Sequence, residues 1–283
     1  MSQTPSERVL IAGCGDVGTR IAAQLQQRGW DVLGLRRSPS PALGNAAMIA
    51  ADLTDPHSLN KLPSGITHVV YMPTPDRRAK AEYRAVFKDG LRHLLMALNT
   101  SRLARVMLVS STAVYGNHEG DWVDENTPAN PPRFNGEVLL ETEGWLAAQN
   151  LPAIIVRLSG LYGPGRAGLF ERLLAGKVCV PRRQPFWSNR MHVDDAAAAI
   201  VHLLHLACPQ PLYLGTDDMP LPLDVRYDHL ARLLGAPRPT DGPAPAGVGN
   251  KRLNNARLRH SGFCLQWPDA RKSYAALLQQ ANY

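Results

Sequence analysis

Residues 107–116 read MLVSSTAVYG, an apolar run that ends on three hydroxyls, Ser110, Ser111 and Thr112. A hydroxyl at the end of a buried strand either caps the backbone that follows or holds a substrate oxygen beside a proton carrier. Ser111 is the chemical candidate of the three. A second feature stands near the start: Gly13 to Gly18, GCGDVG, follows a strand-like run and opens a helix-like one. There Gly13 permits a tight turn, Gly15 lets the backbone approach a pyrophosphate, and Gly18 lets helix and strand pack closely. The pyrophosphate of a dinucleotide is expected on the helix N-terminus, beside Asp16 and Val17. Arg36 and Arg37 stand where an NAD binder usually carries an acidic residue for the ribose hydroxyls. They suit a 2′-phosphate instead, which points to NADP, with NAD as the alternative. Asp52 and Leu53, in ADLTD, are expected to border the adenine, and Asp55 is the better helix cap because Pro56 follows it. Pro73 and Thr74 are expected to line the cofactor cleft.

These residues need elements to position them. RVLIAG (8–13), DVLGL (31–35), AAMIA (46–50), THVVYM (67–72), RVMLVS (105–110) and PAIIVRL (152–158) read as strands, and their near-continuous apolar character suits a sheet covered on both faces. Residues 16–29, 79–100 and 136–149 carry apolar side chains at helical spacing. The alternation implies an α/β fold, a Rossmann-type doubly wound parallel sheet with right-handed crossovers. After residue 160 the texture changes. GLYGPGRAG is a hinge, DDAAAAIVHLLHLA (194–207) is helical, PLYLG (211–215) is a last strand, and 235–252 reads as a mobile loop. The expected organisation is a dinucleotide-binding domain over 1–163 and a smaller C-terminal substrate lobe over 164–283, with 194–215 returning to the Rossmann core.

Of the 283 residues, 45% are hydrophobic and 19% charged, an ordinary globular balance. The formal charge of +7 sits in dispersed pairs: Arg36-Arg37, Arg77-Arg78, Arg182-Arg183 and Lys251-Arg252. A nucleic-acid surface concentrates such charge among aromatics, so a small anionic ligand is expected and nucleic acid is not. Cys14, Cys179, Cys208 and Cys264 lack paired spacing, which argues against a zinc site or a disulfide framework and fits a reducing cytoplasm. The opening MSQTPSE is polar, and no apolar run approaches the ~20 residues of a membrane helix, so neither a signal peptide nor a membrane partner is expected.

SSTAVYG, VRLSGLYGPG and RMHVDDAAAAI, in that order, resemble blocks of the extended short-chain dehydrogenase/reductases, the NAD-dependent epimerase/dehydratase superfamily. The resemblance implies hydride transfer with a nicotinamide cofactor, in an oxidoreductase or an epimerase. It implies that the residue matching Ser111 orients the substrate, while a tyrosine and a lysine four residues later supply the proton chemistry. In NPPRFNGEVLLETEGWL those positions fall on Phe134 and Val138, and neither transfers a proton. No neighbouring register recovers the pair. Thr112 and Ala113 also replace the acidic pair of the sugar-nucleotide dehydratases. This departure resembles an atypical bacterial subgroup, the YeeZ-like proteins, usually described as nucleoside-diphosphate-sugar epimerases. GRAGLFERLLAGK, NRMHVDD and KRLNNARLRHSGF resemble that subgroup as well.

Glu137 and Glu141 lie one helical turn apart, and in a closed cleft Glu137 could act as acid or base; the plainer reading is two exposed carboxylates. His192 reads as structural, with Asp194 and Asp195 as helix-start carboxylates. For substrate, the superfamily's usual arginine position is Ser188 here, and Arg190 or Arg183 would substitute. Lys251 and Arg252 would meet phosphate, Thr112 and Tyr115 would line the site, with packing at the turn as the plainer reading of Tyr115, and Phe186 and Trp187 would stack on a base. The expectation is an epimerase-like oxidoreductase for a small anionic or nucleotide-linked substrate, with a homodimer as the oligomer considered and no metal. The alternative is a non-catalytic dinucleotide sensor.

Overall fold

The computed structural model describes residues 7–38, 46–166 and 168–280. The polar opening, residues 1–6, lies outside the described residues. Arg8–Ala12 (β1), Asp31–Arg36 (β2), Ala47–Ala50 (β3), His68–Tyr71 (β4), Arg105–Ser111 (β5), Ala153–Leu158 (β6) and Leu212–Gly215 (β7) build one sheet in the order β7-β6-β5-β4-β1-β2-β3. Its strands are parallel, with Ile11 of β1 opposite Gly34 on one side and Val70 on the other. Strand order reverses at β1, the switch point where such sheets bind ligands beyond the strand C-termini. The apolar runs are explained by burial on both faces: Val9, Leu10, Ile11 and Ala12 are all fully buried. Every strand expected from the sequence is present. β5 runs one residue further than expected, so Ser111 is its last residue.

The principal helices among the described residues that carry the argument are Asp16–Gln26 (α1), a continuous run of Lys80–Tyr83, Arg84–Asp89 and Gly90–Ala97 (together α2), Phe134–Ala147 (α3) and Val193–His205 (α4). The middle stretch of α2 is π-wound. α3 is tied to the sheet by buried charge. Arg157 of β6 reaches the Glu143 carboxylate through Nε (3.1 and 3.2 Å) and Nη2 (2.6 Å), and the Ser110 hydroxyl donates to the same group. No helix among the described residues is long and apolar enough to cross a membrane.

The chain divides into two compact units. The first takes Met1–Val114, Arg133–Arg157 and Ala197–Tyr213, and the second takes Tyr115–Pro132, Leu158–Ala196 and Leu214–Tyr283. In the first, Leu10, Leu33, Leu35, Val69, Leu91, Leu94 and Val106 form the core. In the second, Tyr162, Phe170, Leu173, Leu223, Leu230 and Tyr274 do so. Segment 235–252 departs from the expected mobile loop. Thr240–Asp241 pairs with Cys179–Val180, and Arg252–Leu253 pairs with Trp122–Val123, so short ladders anchor it where its composition alone offers nothing to bury.

Candidate functional site

The glycine loop shows three different constraints. Gly13 has φ +85°, and a Cβ there would stand 2.4 Å from the Pro73 Cα, so the turn is pressed against the chain leaving β4. The Gly13 and Cys14 amides both donate to the Leu35 carbonyl, at 2.9 and 3.1 Å. Gly18 packs on Cys14 and Ile11, where a Cβ would meet Sγ at 3.2 Å and Cγ2 at 3.3 Å. Gly15 is the exception: a Cβ there would find only the Gly13 carbonyl oxygen, 4.0 Å away. No side chain caps α1 at Gly15. Open space therefore lies before the positive end of α1, whose first amides have no partner within the helix. Asp16, Val17 and Gly18 form that first turn, with Asp16 paired to Arg20 at 3.1 Å. Burial pushes the Cys14 thiol up to about 11, which keeps it an inert packing group.

A cavity of about 660 Å³ opens at the loop, lined by Gly13, Gly15, Arg36, Arg37, Asp52, Leu53, Pro73 and Thr74 together with Glu82, Ala85 and Val86 of α2. The two arginines differ. Arg37 forks both oxygens of Asp76 at 2.6 Å, an exposed pair. The Arg36 guanidinium has no hydrogen bond or ion pair among the described residues. Asp52 turns its Oδ1 onto the amide and hydroxyl of Thr54, at 2.9 and 2.8 Å. Asp55 caps the turn Pro56–Lys61 by accepting from the His57 amide at 3.0 Å, as its position before Pro56 suggests.

At the end of β5 the Ser111 Oγ accepts from the Ala113 amide at 3.2 Å. That is the capping geometry, yet the hydroxyl proton has no acceptor among the described residues. Phe134 opens α3 and meets the Tyr83 ring edge-on, with centroids 5.5 Å apart, and Val138 is fully buried. Of the two readings of Glu137, acid or base in a closed cleft or plain exposed carboxylate, its surroundings match the second. It is half exposed and takes Lys80 Nζ at 2.9 Å, a surface pair joining α3 to α2. Glu141 is bound by Lys88 and by Arg84, whose hydrogen bonds hold its carboxyl below the usual range and make it a poor proton donor.

The remaining candidates belong to the second unit, except Thr112, which lies half buried in the first. Tyr115 is buried, and its phenol donates to the Asp124 carbonyl at 2.8 Å, so of its two readings, substrate contact and packing at the turn, the geometry matches the packing one. Arg190 places Nε 3.3 Å from the Ser188 Oγ. Arg183 is exposed and lines, with Phe186, a cavity of about 540 Å³. The Arg252 guanidinium lies between the rings of Trp122 and Trp187, 5.0 and 4.9 Å from their centroids, which occupies the Trp187 face expected for a base. Lys251 is buried. Its ammonium donates to the Gly249 and Gly116 carbonyls at 3.3 and 3.4 Å, and burial pulls its pKa down to about 8. Asp194 and Asp195 both stand in the first turn of α4, as expected, and the Asp195 carboxylate also accepts from the Gln266 and Trp267 amides at 2.8 and 2.9 Å. The rings of Tyr162 and Trp267 flank His192.

Comparison with known proteins decides the family. Residues 9–211 match the NAD dependent epimerase/dehydratase family. The chain belongs to that family. Protein YeeZ of Escherichia coli (strain K12) is 30% identical over 277 residues, 93% of this chain and 97% of that one. A Streptomyces protein named 3-diazoavenalumate denitrifying reductase is 31% identical over 259 residues, 84% of each chain. A structure from Methylobacillus flagellatus, provisionally named an NAD-dependent epimerase/dehydratase, superposes with a TM-score of 0.83 at 38% identity, covering 98% and 99% of the two chains. The chain is thus a YeeZ-like member of the short-chain dehydrogenase/reductase superfamily, and membership puts it among dinucleotide-dependent oxidoreductases.

Proposed function

We propose that this family member is an NADP-preferring cytoplasmic oxidoreductase or epimerase acting on a carbinol carbon of a small anionic or nucleotide-linked substrate. The observation that carries the reading is the open, uncapped N-terminus of α1 facing a cavity whose rim holds the unpaired Arg36. The residues fit a dinucleotide. A pyrophosphate would rest where a Gly15 side chain is absent, against the Asp16 and Val17 amides, and Arg36 would take a 2′-phosphate. When bound, the nicotinamide supplies or accepts the hydride. Ser111 has its lone pair fixed by the Ala113 amide, which leaves its proton to donate to the substrate oxygen. The second reading, a non-catalytic dinucleotide sensor, is favoured by apolar Phe134 and fully buried Val138 at the positions of the usual proton relay.

Cofactor choice is tested by fluorescence titration. NADPH is expected to bind more tightly than NADH. Arg36→Asp should weaken NADPH by ~1.5–3 kcal/mol, the scale of a lost charge-assisted hydrogen bond. Gly15→Val enters open space, so it should fold normally yet lose the thermal stabilisation that cofactor confers. Equal affinity for the two cofactors in the unmutated protein removes the NADP assignment. A folded Gly15→Val with the full stabilisation moves the cofactor elsewhere.

Chemistry is tested by NADPH oxidation against a panel of carbonyl compounds. The unmutated protein is expected to turn over slowly, and Ser111→Ala should be at least ~10-fold slower, a floor set beneath the ~10²–10⁴-fold that positioned acid–base groups typically contribute. Turnover indifferent to Ser111 would leave the hydroxyl as a cap, and the absence of turnover would favour the sensor.

A further inference from the structure

The π-wound turn Arg84–Asp89 releases carbonyls from the ordinary helical ladder, and such a turn persists only where something else takes them. Here a side chain from the sheet does so. Tyr71, the last residue of β4, is fully buried, and its hydroxyl donates to the Val86 carbonyl at 2.5 Å. Gly90 makes the room: a Cβ there would stand 2.6 Å from that hydroxyl oxygen, 3.1 Å from the Leu53 Cβ and 3.2 Å from the Ala85 carbonyl. Glycine is poorly suited to a helix interior, so the hydroxyl accounts for its presence at the start of Gly90–Ala97. Burial raises the Tyr71 phenol well above its ordinary value, so it remains a donor at any working pH.

The consequence falls on the cofactor cavity. Glu82, Ala85 and Val86 line it, as does Leu53, the residue that also crowds Gly90. One extra residue per turn rotates everything before the π stretch by roughly 100° relative to Gly90–Ala97. We infer that Tyr71 is a positioning residue for the dinucleotide. By holding the π turn it sets the Ala85–Val86 wall of the cavity bordered by Asp52 and Leu53, and so fixes how the adenosine half fits. This rests on the dinucleotide reading above.

Tyr71→Phe removes the hydroxyl and adds no bulk. Calorimetric titration well below the melting temperature should show NADPH and 2′,5′-ADP both binding about tenfold more weakly, the order of one lost hydrogen bond. Amide exchange over residues 86–90 should speed up in the ligand-free variant. A merely structural tyrosine would lower the melting temperature and leave both dissociation constants unchanged, which overturns the inference. Gly90→Ala is the second variant. Its methyl displaces the hydroxyl and should weaken binding similarly, and adding it to Tyr71→Phe should cost little more. Unweakened binding by a folded Gly90→Ala also overturns the role of Tyr71. If the unmutated protein binds neither these probes nor NADH, the dinucleotide reading falls and this inference with it. If it binds both and the variants match it, only the inference falls.

Discussion

Glu143→Ala is expected to lower folding stability by about 3–5 kcal/mol, measured by urea denaturation. The change removes the carboxylate that holds Arg157, and the side chains of this pair are only 7% and 4% exposed. The guanidinium would be left in the core between α3 and β6, and the Ser110 hydroxyl would lose its acceptor. Leaving a buried charge unpaired is costly, whereas replacing the pair together is not, so Glu143→Leu with Arg157→Met should come out near neutral. Glu141→Ala breaks surface pairs on the same helix and should cost no more than about 1 kcal/mol. If Glu143→Ala behaves like Glu141→Ala, the buried pair does not anchor α3.

The second large effect depends on pH. Burial pushes the Asp217 carboxyl up to about 8, with the charges of Asp269 and Asp218 adding to it and the Met219 and Ala270 amides opposing it. An unfolded aspartate titrates near 3.9, so between about pH 4 and pH 8 the unfolded chain gives up a proton that the native chain keeps. Stability from this site is full below pH 4 and is lost progressively toward pH 8. At about 1.4 kcal/mol per pH unit the loss at pH 7 reaches about 4 kcal/mol as an upper figure. Asp217→Asn keeps the shape of the side chain and removes the titration. The variant should be the more stable protein at pH 8, by a margin that shrinks steadily toward pH 5. A margin independent of pH would show that Asp217 titrates like an exposed aspartate.

The sheet was legible because strands buried on both faces must be apolar throughout, and nothing else in the chain has runs like VLIA or VVY at such spacing. The glycine loop was legible for a related reason, since the tight turn at Gly13 and the close packing at Gly18 each exclude a side chain. That Phe134 and Val138 are apolar where the resemblance puts a tyrosine and a lysine could also be read from the sequence. What escaped was set by partners distant in sequence. Glu143 looks like any other helix carboxylate until Arg157 is brought beneath it, and Tyr71 looks like core until α2 passes over its hydroxyl. Lys251 and Arg252 read as loop charges because their composition gives no hint of the Gly116 carbonyl or the two tryptophans that receive them. The apparently unusable segment 235–252 is held by two-residue ladders too short to leave a periodic trace.

The interleaved division of the chain also bears on how it is made. The first unit is not finished when its first 114 residues have emerged, because its remaining segments begin at Arg133 and Ala197. β5 has one neighbour, β4, already made, but its other neighbour, β6, follows roughly forty residues later, a delay of about 2–8 s at a translation rate of ~5–20 residues per second. During that interval an apolar strand edge faces solvent with its backbone donors and acceptors unpaired, the condition that invites pairing with another nascent chain. Heterologous expression should therefore yield more soluble protein when translation is slowed less between β5 and β6 than elsewhere, and a chain truncated before Ala153 should depend on chaperones to stay in solution.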